Sequence, residues 1–255
     1  MPLQALPAFT DNYIWTLADE AGRAAIVVDP GEAGPVLRAA DDGLQPVAIL
    51  LTHHHPDHIG GTGALLQRWP GLPVFAPVDE RIDLPCQRVV AGNTVAAGDW
   101  QFRVLEIPGH TRSHVAFVGH GLVFCGDTLF SLGCGRMFEG TPAQMLASLD
   151  RLAALPTATR VCCGHEYTLA NAAFARVVDP DNAALRRRTE EAIAMRDEDR
   201  PTLPSLLGDE LAANPFLRVD SPAVRAAIAG RLGREPADRV ESFAVLRQWK
   251  DGFSA

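Results

Sequence analysis

A proline lies inside the most histidine-rich segment of the chain and restricts how that segment can fold. The segment reads ILLTHHHPDHIGG and directly follows an apolar run. His54 and His58 are four residues apart and would share one face of a helix, whereas His53 and His55 would lie on one side of an extended chain. Pro56 keeps the preceding residue out of the helical region but suits the first position of a helix. The sequence therefore predicts a strand that ends near Thr52, an extended loop carrying His53 and His55, and a helix that begins at Pro56.

Seven residues are candidate metal ligands. Four come from this segment, and three follow later apolar runs, in EIPGH, LVFCGD and RVCCGH, where loops of sheet proteins often carry function. The full set is His53, His55, Asp57, His58, His110, Asp127 and His165. A zinc site uses about four ligands, so the set suits two ions. Asp127 is the expected bridge, since a carboxylate has two oxygens, and Asp57 and His58 are expected to leave the turn in different directions, toward two neighbouring ions.

Three histidines and one aspartate near these ligands have other expected positions. His54 is out of phase with the ligand pair and is expected to be exposed, and His120, in VGHGL, is expected in a turn. His114 is expected behind the ligands or in the core. Asp29, in VVDPGE, either braces the site or belongs to an ordinary turn, which is the commoner role of an aspartate before Pro-Gly.

Composition excludes several classes of protein. The chain has 255 residues, 47% of them hydrophobic, which suits one large domain or one domain with a small appendage. No signal peptide and no membrane-spanning run is visible, so a soluble cytoplasmic protein is expected. The five cysteines are irregularly spaced and are expected to be reduced core thiols. A net charge of −8 argues against a nucleic-acid-binding protein.

The character of the chain changes near residue 165. Before it, apolar runs such as AAIVV, VAILL, LPVFA, FRVLEI, HVAFV, LVFC and RVCC predict strands, with helices at GALLQRW and PAQMLASLDRLAAL. After it, NAALRRRTEEAIAMRDE, SPAVRAAIAGRL and RVESFAVLRQWKD have helical periodicity. The sequence therefore predicts a strand-rich region followed by a helical tail.

The histidine segment resembles the T-H-x-H-x-D-H motif of the metallo-β-lactamase superfamily. Further stretches, GHT, GDTLF, GCGR, GHEYT, NPFLR and RQWKDGF, narrow the resemblance to the hydroxyacylglutathione hydrolase (glyoxalase II) family along almost the whole chain. The resemblance implies an α/β (α+β) fold, a four-layered αββα metallo-β-lactamase sandwich with a C-terminal helical domain. The implied domains are a catalytic domain at 1–165 and a helical glutathione-binding domain at 166–255.

The implied reaction is hydrolysis of S-D-lactoylglutathione, and of related 2-hydroxyacylglutathiones, by a metal-bridging hydroxide, the second step of methylglyoxal detoxification. One ion would be held by His53, His55 and His110 and the other by Asp57, His58 and His165, with Asp127 as the bridge. Asp57 would also orient the hydroxide and accept its proton. The implied substrate contacts are Arg136, Phe138, Tyr167, Arg247 and Lys250. Arg136 and Phe138 stand where the family usually has lysine and tyrosine, so a cation is kept and a hydroxyl is lost.

The implied cofactors are two divalent ions per chain, zinc, with iron or manganese as alternatives. The expected partner is a small-molecule glutathione thioester, and a monomer without nucleic-acid or membrane partners is expected. Arg247 and Lys250 are three residues apart on a predicted helix, so they are expected on one face, within reach of one carboxylate. The runner-up function is a glutathione persulfide (sulfur) dioxygenase with a single iron. The full ligand set and the tail motif favour the hydrolase.

Overall fold

The computed structural model describes residues 1–254, which form two compact units. One unit contains Met1–Glu106 and Ser113–Gly126, and the other contains Ile107–Arg112 and the chain from Asp127 onward. These units are defined by packing and do not test the division at residue 165, which stays a prediction. Among the described residues, no helix is both long and apolar enough to cross a membrane.

A six-stranded sheet in the first unit has its strands in sequence order. They are β1 (Leu3–Ala8), β2 (Asn12–Ala18), β3 (Ala24–Val28), β4 (Gln45–Leu50), β5 (Val74–Pro77) and β6 (Gln87–Val89). The first three are antiparallel neighbours, and β3 to β6 are parallel. Because β3 and β4 are parallel neighbours, their carboxyl ends lie side by side. Asp29 follows one end and the histidine segment follows the other.

Four antiparallel strands complete the β-structure of the first unit. They are β7 (Thr94–Ala97), β8 (Trp100–Glu106), β9 (Val115–Gly119) and β10 (Leu122–Gly126). In β8, Trp100, Phe102 and Val104 are buried and alternate with exposed residues, the pattern of a strand with one face on the core. The β9–β10 turn has His120 at φ 53° and Gly121 at φ 72°, which confirms His120 as a turn residue.

Three short helices belong to the first unit, and one of them tests the role of Pro56. They are α1 (Gly34–Asp41), α2 (Pro56–Ile59) and α3 (Thr62–Arg68). His55, directly before α2, is extended at φ −61° and ψ 142°. The helix therefore begins at Pro56, as predicted. The preceding strand ends at Leu50, two residues before Thr52.

The second unit is mostly helical beyond residue 166, which confirms the helical tail. Its elements are β11 (Leu129–Phe130), β12 (Gly133–Cys134), α4 (Pro142–Ala153), β13 (Arg160–Cys163), α5 (Thr168–Val178), α6 (Ala183–Asp197), β14 (Ser205–Leu206), α7 (Leu207–Ala213), α8 (Pro222–Leu232) and α9 (Arg239–Asp251). Side chains cap four of these helices at their first turn: Thr141, Asn182, Ser221 and Asp238. These caps satisfy amide groups that a helix leaves without partners and so mark where each helix begins.

Candidate metal centre

The two histidines on the extended loop point their ring nitrogens at each other. His53 Nε2 lies 3.1 Å from His55 Nδ1, and His53 is fully buried. This confirms that the two side chains lie on one side of the loop. Two imidazole nitrogens at this separation can share one hydrogen or bind one ion, and imidazole is a usual zinc ligand.

Asp57 and His58 converge, against the expectation that they diverge toward two ions. Asp57 Oδ2 lies 3.6 Å from His58 Nε2. The turn of α2 brings the adjacent side chains together, so the prediction from the turn alone was wrong about their directions. Asn12, at the start of β2, donates to the same Asp57 oxygen at 3.0 Å. Sequence reasoning did not identify Asn12, which lies 45 residues away from Asp57.

Asp29 braces this loop, which decides between its two expected roles. Its Oδ1 accepts from the Thr52 amide at 2.8 Å, and its Oδ2 accepts from the Thr52 hydroxyl at 2.7 Å. The same Oδ2 lies 3.1 Å from His58 Nδ1, and Thr52 Oγ1 lies 3.0 Å from His53 Nδ1. A hydrogen bond at Nδ1 leaves Nε2 of each histidine to bind metal, the usual arrangement behind metal-ligating histidines. Ligand atoms of Asp29, His53 and His58 lie within 4.8 Å of one another.

Gly31 allows the loop to approach the strand end closely. A Cβ at this position would lie 1.8 Å from the backbone oxygen of Asp57. Any other residue would push the ligand loop away from the turn that follows Asp29. The glycine therefore helps to set the position of Asp57.

The second unit contributes a carboxylate between two imidazoles. Asp127 Oδ2 lies 3.6 Å from His110 Nε2 and 3.2 Å from His165 Nε2. All three residues are buried. Buried carboxylates need a cation or hydrogen-bond donors. The carboxylate oxygen and the two imidazole nitrogens are all atoms that bind metals, so their arrangement fits a bound cation.

His110 is oriented by the backbone of the segment that carries Arg136. Its Nδ1 donates to the Arg136 carbonyl at 2.8 Å, which leaves Nε2 facing Asp127. Gly135 makes this packing possible, because a Cβ there would lie 1.8 Å from the Asp127 carbonyl oxygen. The ligands of this unit are thus tied to the neighbouring residues 135 and 136.

Two other histidines lie next to ligands without being in the predicted ligand set. His54 is only partly exposed, and its Nδ1 lies 3.4 Å from Asp79 Oδ2, so the prediction that it is exposed was wrong. Asp79 also accepts from Arg81, Ser113 and the Arg81 amide, and the Arg81 contact holds its carboxyl pKa well below the usual range. His114 is fully buried and stacks on His53 with ring centroids 4.5 Å apart, as expected for a core position behind the ligands.

Phe138 and Tyr167 are the two aromatic residues predicted to contact the substrate, and both pack against candidate metal ligands. Phe138 is 64% exposed, and its ring meets His110 edge-on with centroids 5.2 Å apart. Tyr167 is stacked on His165 at 4.7 Å and also contacts Phe130. Both residues are exposed at the surface, and their role in substrate binding stays a prediction.

The predicted cations differ in exposure. Arg136 is exposed, whereas Arg247 is 3% exposed and donates to the Cys134 carbonyl at 2.6 Å and to Asp251 Oδ1 at 3.1 Å. Lys250 is partly buried, and its Nζ donates to the Ala170 carbonyl at 2.9 Å. Burial, and after it the charges of Arg247 and Arg136, lower the pKa of the Lys250 ammonium to about 8. Arg247 thus lies near Lys250, as expected, but is turned into the protein.

The cysteines are not arranged for nucleophilic catalysis. All five are free, and four are buried, whereas Cys86 is only partly buried. Burial raises the pKa of Cys134 to about 11 and raises that of Cys162 well above its ordinary value. Thiols with raised pKa values are poor nucleophiles at neutral pH. The raised pKa values therefore give no support to a thiolate nucleophile at Cys134 or Cys162.

Comparisons with known proteins agree with this chemistry. Residues 13–165 match the metallo-β-lactamase superfamily, and residues 166–253 match the C-terminus of hydroxyacylglutathione hydrolase. Hydroxyacylglutathione hydrolase of Xanthomonas euvesicatoria pv. vesicatoria (strain 85-10) is 62% identical over 254 residues, which cover 99% of each chain. That of Xylella fastidiosa (strain M23) is 60% identical over 253 residues, 99% of this chain and 98% of its own.

Solved structures show the same fold. BLEG-1 B3 metallo-β-lactamase aligns with a TM-score of 0.64 at 23% identity, covering 85% of this chain and 99% of its own. ETHE1 from Myxococcus xanthus aligns with a TM-score of 0.59 at 31% identity, covering 86% of this chain and 98% of its own. The predicted metallo-β-lactamase fold with a helical C-terminal region is confirmed. With relatives of about 60% identity along its whole length and matches in both of its regions, the chain belongs to the hydroxyacylglutathione hydrolase family of the metallo-β-lactamase superfamily.

Proposed function

We propose that this protein hydrolyses S-D-lactoylglutathione and related 2-hydroxyacylglutathiones to glutathione and a 2-hydroxyacid. The observation that carries the proposal is the identity of 60–62%, over 99% of the chain, to relatives named hydroxyacylglutathione hydrolase. The buried histidines and carboxylates supply the metal-binding groups that such an enzyme needs. The reaction would be the second step of methylglyoxal detoxification.

We propose further that the seven ligand candidates hold two divalent ions, most simply zinc. His53, His55 and His110 would serve one ion, Asp57, His58 and His165 the other, and Asp127 both. The total number of candidate ligands supports the proposal, because seven are more than the four or so that one zinc site uses. Histidine and carboxylate donors also suit iron or manganese, and cellular supply decides much of the choice.

The chemistry of a thioester fits this set of residues. When bound, the ions would lower the pKa of water to roughly 7 and polarise the thioester carbonyl. Asp57, held by Asn12, would orient the attacking water and accept its proton. The leaving thiolate belongs to a thiol with a pKa of about 8.5, so it departs without a strong general acid. A serine or cysteine nucleophile is not needed.

Capture of the substrate would depend on local cations. The protein has a net charge of −8, so it repels an anionic glutathione conjugate at long range. Arg136 and Lys250 provide positive charge on the second unit, and Phe138 and Tyr167 provide exposed aromatic surface. Arg247 would contribute to substrate binding by holding Cys134 and Asp251 in place, or by turning its guanidinium toward the glutathione conjugate.

The test of the function is a direct assay on purified protein with its metal content measured. We expect close to two metals per chain and loss of the thioester absorbance of S-D-lactoylglutathione, with equimolar release of free thiol. One iron per chain, together with oxygen consumption on glutathione persulfide, would instead establish the dioxygenase.

We also propose that the protein is a cytoplasmic monomer with domains at 1–165 and 166–255 and that it has no nucleic-acid partner.

The Lys250→Ala variant is expected to raise the KM for the glutathione thioester about tenfold and to change kcat by less than about threefold. The reason is that a charge-assisted hydrogen bond to a substrate carboxylate would contribute roughly 1.5–3 kcal/mol to binding, and that carboxylate takes no part in the hydrolysis of the thioester. The measurement is steady-state kinetics at pH 7. Arg187→Ala, on the exposed side of α6, is the matched control for the loss of one positive charge. A KM equal to that of the control would remove Lys250 from the substrate site.

The KM of the wild-type protein is expected to rise as pH increases through about 8. Below the Lys250 pKa of about 8 the side chain is an ammonium that can pair with a carboxylate, and above it the side chain is a neutral amine. A bound carboxylate would raise this pKa, so substrate binding should be accompanied by proton uptake near pH 8. The measurement is KM from pH 6.5 to 9.5, corrected for spontaneous hydrolysis. Lys250→Arg keeps its charge throughout and should flatten the profile; an unchanged profile would assign the titration to another group.

A further inference from the structure

The hairpin β11–β12 is held in place by side chains from distant helices. Its backbone ladder is only two residues long on each strand, pairing Leu129 with Cys134 and Phe130 with Gly133. A two-stranded ribbon of this length is not stable by itself. Every residue of the hairpin is nevertheless buried. The stability of the hairpin must therefore come from its surroundings.

One asparagine from the end of α7 joins both strands of the hairpin. Asn214 Nδ2 lies 3.1 Å from the Phe130 carbonyl oxygen and 3.0 Å from the Gly133 carbonyl oxygen. Its Oδ1 accepts from the Phe216 amide at 3.1 Å, which fixes which way the amide points. Asn214 is fully buried. It thus replaces backbone pairing that the short hairpin cannot supply.

A buried glutamate on α7 holds the turn between the two strands. Glu210 Oε2 accepts from the Leu132 amide at 2.8 Å and lies 3.1 Å from Asn214 Nδ2. Leu132 is in the left-handed region at φ 58°, which is unfavourable for a leucine. Its side chain packs into a core with Ala172, Ala175, Leu185 and Ala213. The carboxylate and this core together keep the turn in its strained conformation.

Both ends of the hairpin lead to the candidate metal ligands of the second unit. Asp127 lies two residues before Leu129, and Arg136, whose carbonyl accepts from His110 Nδ1, lies two residues after Cys134. Gly135 closes the base of the hairpin, since its amide donates to the Thr128 carbonyl at 3.2 Å. A shift of one strand against the other would therefore move Asp127 and turn His110.

We propose that Asn214 and Glu210 are positioning residues that hold the β11–β12 hairpin in register, and through it the ligands Asp127 and His110. The inference rests on the proposed function in so far as Asp127 and His110 hold metal. Neither residue is proposed to touch the metal or the substrate. Their effect passes through the Phe130 and Gly133 carbonyls and the Leu132 amide.

The test compares two isosteric substitutions in the same unit. Asn214→Asp replaces a donor that faces two carbonyls and the Glu210 carboxylate with an acceptor. Asn182→Asp is the matched control, because Asn182 Nδ2 also donates to one carboxylate, of Asp179 at 2.9 Å, and to one carbonyl, of Ala212 at 3.0 Å. Asn182 caps α6 by accepting from the Ala184 and Leu185 amides, and aspartate can cap equally well.

The readouts are metal retention against a competing chelator and amide hydrogen exchange across residues 128–135, both on the full-length metal-loaded protein. Substitutions behind metal ligands usually weaken metal binding by about 10–100-fold. We expect Asn214→Asp to lose metal at least about tenfold faster than wild type and to exchange faster in the hairpin. Asn182→Asp should keep the wild-type rates of metal loss and of hydrogen exchange in the hairpin when each variant is measured equally far below its own unfolding temperature. Equal metal loss in both variants would show a general stability effect and overturn the proposal.

A second variant covers the case in which Asn214→Asp does not fold. Combining Asn214→Asp with Glu210→Gln removes the carboxylate pair and restores a donor between positions 210 and 214, but not the bonds to the Phe130 and Gly133 carbonyls. We expect this double variant to fold and still to lose metal faster than the Asn182→Asp control. Wild-type retention in the double variant would overturn the proposal. Absence of thioesterase activity in the wild type would instead overturn the proposed function, since metal retention is measured without substrate.

Discussion

Replacing Asp127 with asparagine is expected to lower kcat by about 10²–10⁴-fold while changing KM little. One Asp127 oxygen faces both His110 and His165, and an amide in its place removes a negative charge from the proposed bridge between two ions. Metal ions contribute several kcal/mol of transition-state stabilisation, and each 1.36 kcal/mol corresponds to about tenfold in rate. The measurements are steady-state kinetics and metal content per chain.

The control for this variant is Asp150→Asn, which is isosteric, exposed and also removes one negative charge. Asp150 pairs with Arg239 on the surface, and exposed pairs contribute about 0.2–1 kcal/mol to stability, so its kcat should be that of wild type. Metal content should fall below two per chain only in Asp127→Asn. A fully active Asp127→Asn variant with two metals would exclude Asp127 as a bridging ligand.

The second large effect is expected at Asp29, which is behind the ligands. Asp29→Asn should lower metal affinity, and with it activity at limiting metal, by about 10–100-fold. Asp29 accepts from two groups of Thr52 and lies within hydrogen-bond distance of His58 Nδ1. An asparagine has only one acceptor oxygen, so its amide would face either the Thr52 amide or the His58 ring as a second donor. The measurement is a metal titration of the metal-free protein, followed by activity.

Asp179→Asn is the matched control for Asp29→Asn. Asp179 is likewise a buried aspartate, and it pairs with Arg218 and Asn182 rather than with a ligand. Both variants should lower the free energy of unfolding, but only Asp29→Asn should shift the metal titration. Excess zinc should restore much of the activity of Asp29→Asn, since this variant keeps all seven candidate metal ligands. A titration equal to that of Asp179→Asn would reduce Asp29 to a folding role.

The parts of the fold that could be predicted from the sequence are those set by local chemistry. Pro56 predicts the loop-to-helix transition because its ring restricts the residue before it, and Asn182 and Ser221 open helices that helical periodicity had indicated. The three helices predicted in the tail begin and end close to their predicted limits, because helical periodicity is also a local property of the sequence. The direction of His53 and His55 follows from the twofold repeat of an extended chain.

The errors and omissions come from contacts between distant residues. His54 is paired with Asp79, and Asp57 is held by Asn12, 45 residues away, and neither contact has a local signal. The left-handed turn at Leu132 depends on Glu210, 78 residues later in the chain. Arg247 has the right spacing to lie beside Lys250, but only the tertiary structure shows that its guanidinium is directed at Cys134.

The bond from the Thr52 amide to Asp29 ties the ligand loop to two neighbouring parallel strands. The Asp29 amide in turn donates to the Leu50 carbonyl at 2.9 Å, so the ends of β3 and β4 are joined in both directions. Local opening of a structure follows its cooperative units, and loops usually open at much lower free energy than sheets. The Thr52 amide should open only together with the sheet, so the start of the histidine segment moves on the timescale of the core and not on that of a surface loop.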